Sequence, residues 1–231
     1  GRTIALRAIY PHPITGGLVM TDEWFPIPVE RFIQPFNMRQ AASGFRVPVR
    51  STLANHAVKR GGHLWYAFAS SGEHTDSTPK VRWYRINPNG WPLSGNDPVL
   101  VHEGVLDLGP GVASAFPGIA VDDGGPHAQK LVMVYARSSP TEPMSVGRSV
   151  IGHDGAILNS EIWKSSVTPP TFFRWGDYFT VEPDPTDPGS GTATPSHKDP
   201  SPAELRPGPE TEISKAPPSA EAGNRDRRRL D

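Results

Sequence analysis

The sequence predicts an all-β chain of four-stranded antiparallel sheets. Residues 116–163 hold one complete four-strand pattern, residues 55–102 hold an earlier copy, and the two correspond in order at a spacing of about 65 residues. Such a unit cannot bury both of its faces alone, so the expected solution is radial stacking of successive sheets into a partial β-propeller. A β-sandwich of the same strands is the alternative.

Residues 1–44 read as an irregular, edge-strand segment of a preceding blade. Residues 4–10 and 17–20 have strand character, whereas Pro11, Pro13, Pro26, Pro28 and Pro35 remove backbone donors and exclude a regular helix through most of the segment. A short helix is expected only around Pro35, within residues 31–42.

Residues 45–182 are expected to form the incomplete set of blades. Ala57-Val58 leads through Gly61-Gly62 into Leu64-Trp65-Tyr66-Ala67-Phe68-Ala69, whose aromatic residues suit a strand packed between sheets. Residues 81–86 follow as a third strand, Asn89-Gly90 is a strong hairpin signal, and residues 98–102 supply an outer strand. The second copy runs through Phe116-Pro117-Gly118-Ile119-Ala120-Val121, the turn Asp122-Asp123-Gly124-Gly125, the buried run at 131–136, a strand at 145–150, the turn Asp154-Gly155, and a strand ending at Trp163. Ala67-Phe68-Ala69-Ser70-Ser71 aligns with Tyr135-Ala136-Arg137-Ser138-Ser139. A new inner strand is expected to open at Arg174-Trp175-Gly176-Asp177-Tyr178 and to run to Val181.

Composition limits the function classes. A formal net charge of −1 gives no electrostatic argument for nucleic acid, and the absence of cysteine excludes disulfides and thiolate metal sites. No apolar run approaches the roughly 20 residues of a membrane helix. Residues 183–231, rich in Pro, Ser, Glu and Ala, bury too little apolar surface to offset their ordering entropy and are expected to be a disordered tail. The expected reading is a fragment, with only about half the strands that a closed ring needs.

Phe116 to Val121, Tyr135-Ala136-Arg137-Ser138-Ser139 and Arg174-Trp175-Gly176-Asp177-Tyr178, followed by Pro183-Asp184-Pro185, resemble the C-terminal part of a family of bacterial exported, sialidase-like β-propeller proteins of mostly unassigned function. Gly61-Gly62-His63-Leu64-Trp65 is similar to that family's preceding blade. The resemblance implies a secreted or cell-surface protein with a binding or scaffolding role, and it implies no established catalytic residues. Carbohydrate or a cell-surface protein is the expected kind of partner. A truncated, inactive gene product is a further reading.

Three groups of residues are candidates for chemistry. Phe45-Arg46-Val47-Pro48 resembles the Phe/Tyr-Arg-Ile-Pro motif of sialidases, which implies that Arg46 binds a substrate carboxylate and offers Asp76 as the acid of a glycoside hydrolase. No Ser-x-Asp-x-Gly-x-x-Trp box accompanies it, since Asp154-Gly155 and Trp163 have the wrong spacing, so a non-catalytic role is favoured. Arg174, Asp177 and Tyr178, at the start of an inner strand near the mouth of the central channel, are the candidate ligand-binding cluster. The competing reading is that Asp177 satisfies buried backbone donors there. No histidine pair has metal-ligand spacing, Asp122-Asp123-Gly124-Gly125 reads as a turn, and no metal or cofactor is expected.

Overall fold

The computed structural model describes residues 2–41, 46–49, 56–71, 77–122, 129–165, 179, 181–183 and 193–195. All belong to one unit, Gly1–His197, and the second unit, Lys198–Asp231, lies outside the described residues. Every regular element among the described residues is a β-strand.

The N-terminal segment makes two small ribbons. β1 (Thr3–Leu6) pairs with β4 (Phe25–Pro28), and β2 (Ile9–Pro11) pairs with β3 (Leu18–Met20), both antiparallel. The single strand expected at 4–10 is therefore divided, because Arg7 and Ala8 turn their polar groups toward Thr21 and Asp22. The helix expected around Pro35 does not form. Residues 33–41 instead run without helix, bridged at Ile33 to Ser71 and at Met38 to Val47.

Two four-stranded antiparallel sheets follow, each with its strands in chain order. The first holds β5 (His56–Arg60), β6 (His63–Ser71), β7 (Pro79–Asn87) and β8 (Val99–Val105). The second holds β9 (Ala113–Asp122), β10 (Lys130–Ser138), β11 (Ser145–Ile151) and β12 (Ile157–Ser165). Leu64 to Ala69 and Leu131 to Ala136 thus occupy the same place, second in their sheets. Asn89 and Gly90 have φ of 49° and 75°, and the Trp91 amide donates to the Pro88 carbonyl at 2.8 Å, so the expected turn forms. It does not close a tight hairpin, since the chain continues through residues 91–98 before β8 starts.

Alternation along the strands sorts the core into layers. In β10, Leu131, Met133 and Tyr135 face a cluster with Trp65, Ala67, Val81 and Trp83 of the first sheet. Val132, Val134 and Ala136 face the other way, toward Met38, Val47, Val49, Phe179 and Val181. The far face of the first sheet presents Phe68 and Tyr84 to Ile4, with Leu6, Val29 and Phe32 packed alongside. Strands β6, β7, β9 and β10 are therefore covered on both faces, whereas β12 is exposed at every residue. Each fully buried aliphatic or aromatic side chain contributes about 1.5–3 kcal/mol. β9 lies against β5, β6 and β7.

A bulge interrupts β9. Val134 pairs with Gly118 and Ala136 with Ala115, so Phe116 and Pro117 together oppose Tyr135, and Phe116 takes a φ of 53°. The extra residue switches the strand's parity: Ala113 and Ala115 point to the same cluster as Ala120. The C-terminal part contributes β13 (Val181–Pro183), paired with β14 (Ala193–Pro195) inside the segment expected to be a disordered tail. The remainder of that segment lies outside the described residues.

Candidate functional site

The ends of β6, β8 and β10 lie on one side of the stack. Ser71 pairs with Pro79, Arg82 with Val105, and Ser138 with Ala113, so the β6–β7, β8–β9 and β10–β11 connections share that side. One bond ties the sheets together there: the Val81 amide donates to the buried Ser114 Oγ at 2.9 Å, while the Leu106 amide, donating to the Val81 carbonyl at 2.8 Å, extends the β7–β8 ladder by one rung.

Residues 33–41 cross this end as a strap held at both sheets. At the first sheet, Ile33 and Ser71 exchange backbone bonds of 3.4 and 3.3 Å, and the Phe36 amide donates to Ser71 Oγ at 3.0 Å. At the second, Ser138 Oγ donates to the Arg39 carbonyl at 2.6 Å, and the Ala41 amide donates to the Glu142 carbonyl at 3.1 Å. The Ser-Ser pairs that align between the two sequence copies thus each anchor one end of the strap. Glu142 is itself fixed, because Arg137 Nε and Nη2 donate to its two carboxylate oxygens at 3.0 Å each.

The strap orients two arginines. Met38 and Val47 exchange backbone bonds of 2.9 and 3.0 Å, and both side chains are buried in the core. In this register the next pair is Arg39 opposite Arg46, and strand alternation turns both away from the core, where they are exposed. Burying Met38 and Val47 is what presents Arg39 and Arg46. They open on a pocket of about 130 Å³ whose polar walls are Asn37, Ser77 and Thr78, with Phe36 and Pro140 among its apolar ones.

The electrostatics of this end are unbalanced. Glu142 is committed to Arg137, and Asp107 to Lys80 at 3.0 Å. Among the described residues no carboxylate lines the pocket, and neither the Arg39 nor the Arg46 guanidinium has an ion-pair or hydrogen-bond partner. Two exposed guanidinium groups beside hydroxyl and amide donors can donate to the oxygens of an anionic ligand.

A second polar group sits at the opposite end of the first sheet. His63 Nδ1 donates to the Gly61 carbonyl at 2.9 Å, which leaves Nε2 to accept from Arg85 Nη2 at 3.4 Å. The same carbonyl accepts from Gln129 Nε2 at 3.1 Å. The Arg85 guanidinium lies over the Trp65 ring at 5.3 Å, and burial lowers its pKa from the ordinary arginine value. Among the described residues no group of three His, Asp or Glu side chains is placed to hold a metal ion.

Of the residues singled out in the sequence, Arg46 lines the pocket. Asp76, Arg174, Asp177 and Tyr178 lie outside the described residues, as do Phe45 and the turn residues Asp123, Gly124 and Gly125. Arg39 was not legible as a partner for Arg46. The available signal was the buried apolar residue next to each arginine, Met38 and Val47, but pairing them needs a long-range register that periodicity does not supply. No family model, curated protein or solved structure matches the chain.

Proposed function

We propose that this chain is part of an exported or cell-surface β-propeller that binds a small anionic ligand, or the anionic group of a carbohydrate, at the Arg39–Arg46 pocket. Two sheets with the same meander order support the propeller, as does the covering of β6, β7, β9 and β10 on both faces, since strands of a two-layer sandwich would leave their outer faces to solvent. The observation that carries the binding role is that two arginines from opposed segments line one pocket and have no ion-pair or hydrogen-bond partner for their guanidinium groups among the described residues. Titration with glucuronate, followed by calorimetry, tests it. The expected result is saturable binding that Arg46→Ala abolishes, while equal heats from wild type and variant would reject the site.

The presence of Arg46 on the pocket also favours a second reading, a glycoside hydrolase of the sialidase class. Hydrolysis of a fluorogenic sialoside separates the two. The binding reading expects anion binding with no turnover, and the hydrolase reading expects turnover that is lost in both Arg46→Ala and Asp76→Asn. A truncated, inactive product would show neither binding nor turnover.

A further inference from the structure

We infer that the pocket is suited to a tetrahedral oxyanion of charge −2, borne by a phosphorylated or sulfated ligand or taken as the free ion, rather than to a carboxylate. This rests on the Arg39–Arg46 anion site proposed above. Directly opposed residues of antiparallel neighbours have Cβ atoms about 4.5–5.5 Å apart, where like charges repel. Arg39 and Arg46 occupy such positions, as the opposed pair next to the Met38–Val47 bridge.

A planar carboxylate carries a single negative charge, so even where both guanidinium groups donate to its oxygens one positive charge is left uncompensated. A tetrahedral dianion neutralises both charges and directs its oxygens along diverging axes. The donors diverge in the same way: Arg39 and Asn37 come from the strap, Arg46 from the opposing segment, and the Ser77 hydroxyl from the connection before β7. Among the described residues the neighbouring charges Arg137 with Glu142, Lys80 with Asp107 and Arg82 with Glu30 are paired with one another.

The test is NMR titration of the arginine Nε–H signals of the full chain with methyl phosphate, inorganic sulfate and acetate at constant ionic strength. At pH 7.5, methyl phosphate and sulfate should bind about tenfold more tightly than acetate. Lowering the pH to 5 should weaken methyl phosphate about tenfold, because its second pKa near 6 then leaves mostly monoanion, and should leave sulfate unchanged. The tighter of the two dianions identifies the ligand as phosphorylated or sulfated. Arg39→Gln should reduce dianion binding to the acetate level, and Arg46→Gln provides the same readout should Arg39→Gln not fold. Acetate binding as tightly as the dianions would overturn this inference and leave the anion site standing. No anion-dependent shift of the Arg39 or Arg46 signals would overturn both.

Discussion

Arg137 and Arg46 lie at the same end of the stack, yet the structure treats them differently. The Arg137 side chain is 15 % exposed and holds Glu142 with two bonds of 3.0 Å, and the Glu142 carbonyl in turn receives the amide of Ala41 in the strap. Arg46 is exposed, and no carboxylate partners it among the described residues. A cation that fixes a loop comes with its counter-charge, whereas one left open is free to meet a ligand. The same contrast appears in the core. Tyr135 shares its hydroxyl with Ser149 at 2.8 Å and Ser160 at 3.3 Å, while the buried Tyr84 hydroxyl has no hydrogen-bond partner among the described residues.

The largest effect is expected at the paired arginine. Arg137→Ala removes both charge-assisted bonds, leaves Glu142 uncompensated and loosens the strap, at a cost of about 1.5–3 kcal/mol in urea unfolding. A change below about 0.5 kcal/mol would show that the strap is held by other contacts. Next comes Tyr135→Phe, which removes both bonds of the tyrosine hydroxyl and leaves Ser149 and Ser160 bonded to each other at 3.1 Å, at a cost of about 1 kcal/mol. In contrast, Tyr84→Phe deletes an unsatisfied buried group and should be neutral or stabilising by up to about 1 kcal/mol.

The tyrosine comparison sharpens with pH. Burial raises the Tyr84 pKa well above the ordinary value of 10.0, with the nearby Arg82 charge opposing the shift. Above about pH 10 the unfolded chain releases this proton while the folded chain keeps it, so the folded state binds more protons and stability falls as pH rises. The alkaline slope of the unfolding free energy should flatten in Tyr84→Phe. An unchanged slope would place the titrating group elsewhere.

Much of the fold was legible because its strands announce themselves locally. The runs at 64–69 and 131–136 are apolar on both faces, as strands covered by two layers must be, and Gly155 has the positive φ of 85° that its turn requires. The bulge at Phe116 and Pro117 was signalled only by a proline inside a strand pattern. The strap was not legible, because its bonds join Phe36 to Ser71 and Arg39 to Ser138 across distances in sequence that no local pattern spans. Half of the site followed from Arg46, and the other half, Arg39, depends on that strap.

The smallest expected effect on stability is at the open arginine. Arg46→Ala should change the unfolding free energy by less than about 0.5 kcal/mol, since it breaks no ion pair among the described residues and relieves repulsion from Arg39. Thermal unfolding of wild type and Arg46→Ala in rising sodium phosphate, at constant ionic strength, therefore tests the central claim most directly. The wild-type melting temperature should rise with ligand, corresponding to about 1.4 kcal/mol at ten times the dissociation constant, while the variant stays flat. A parallel rise in both proteins, or no rise in the wild type, would contradict an anion site built from Arg39 and Arg46.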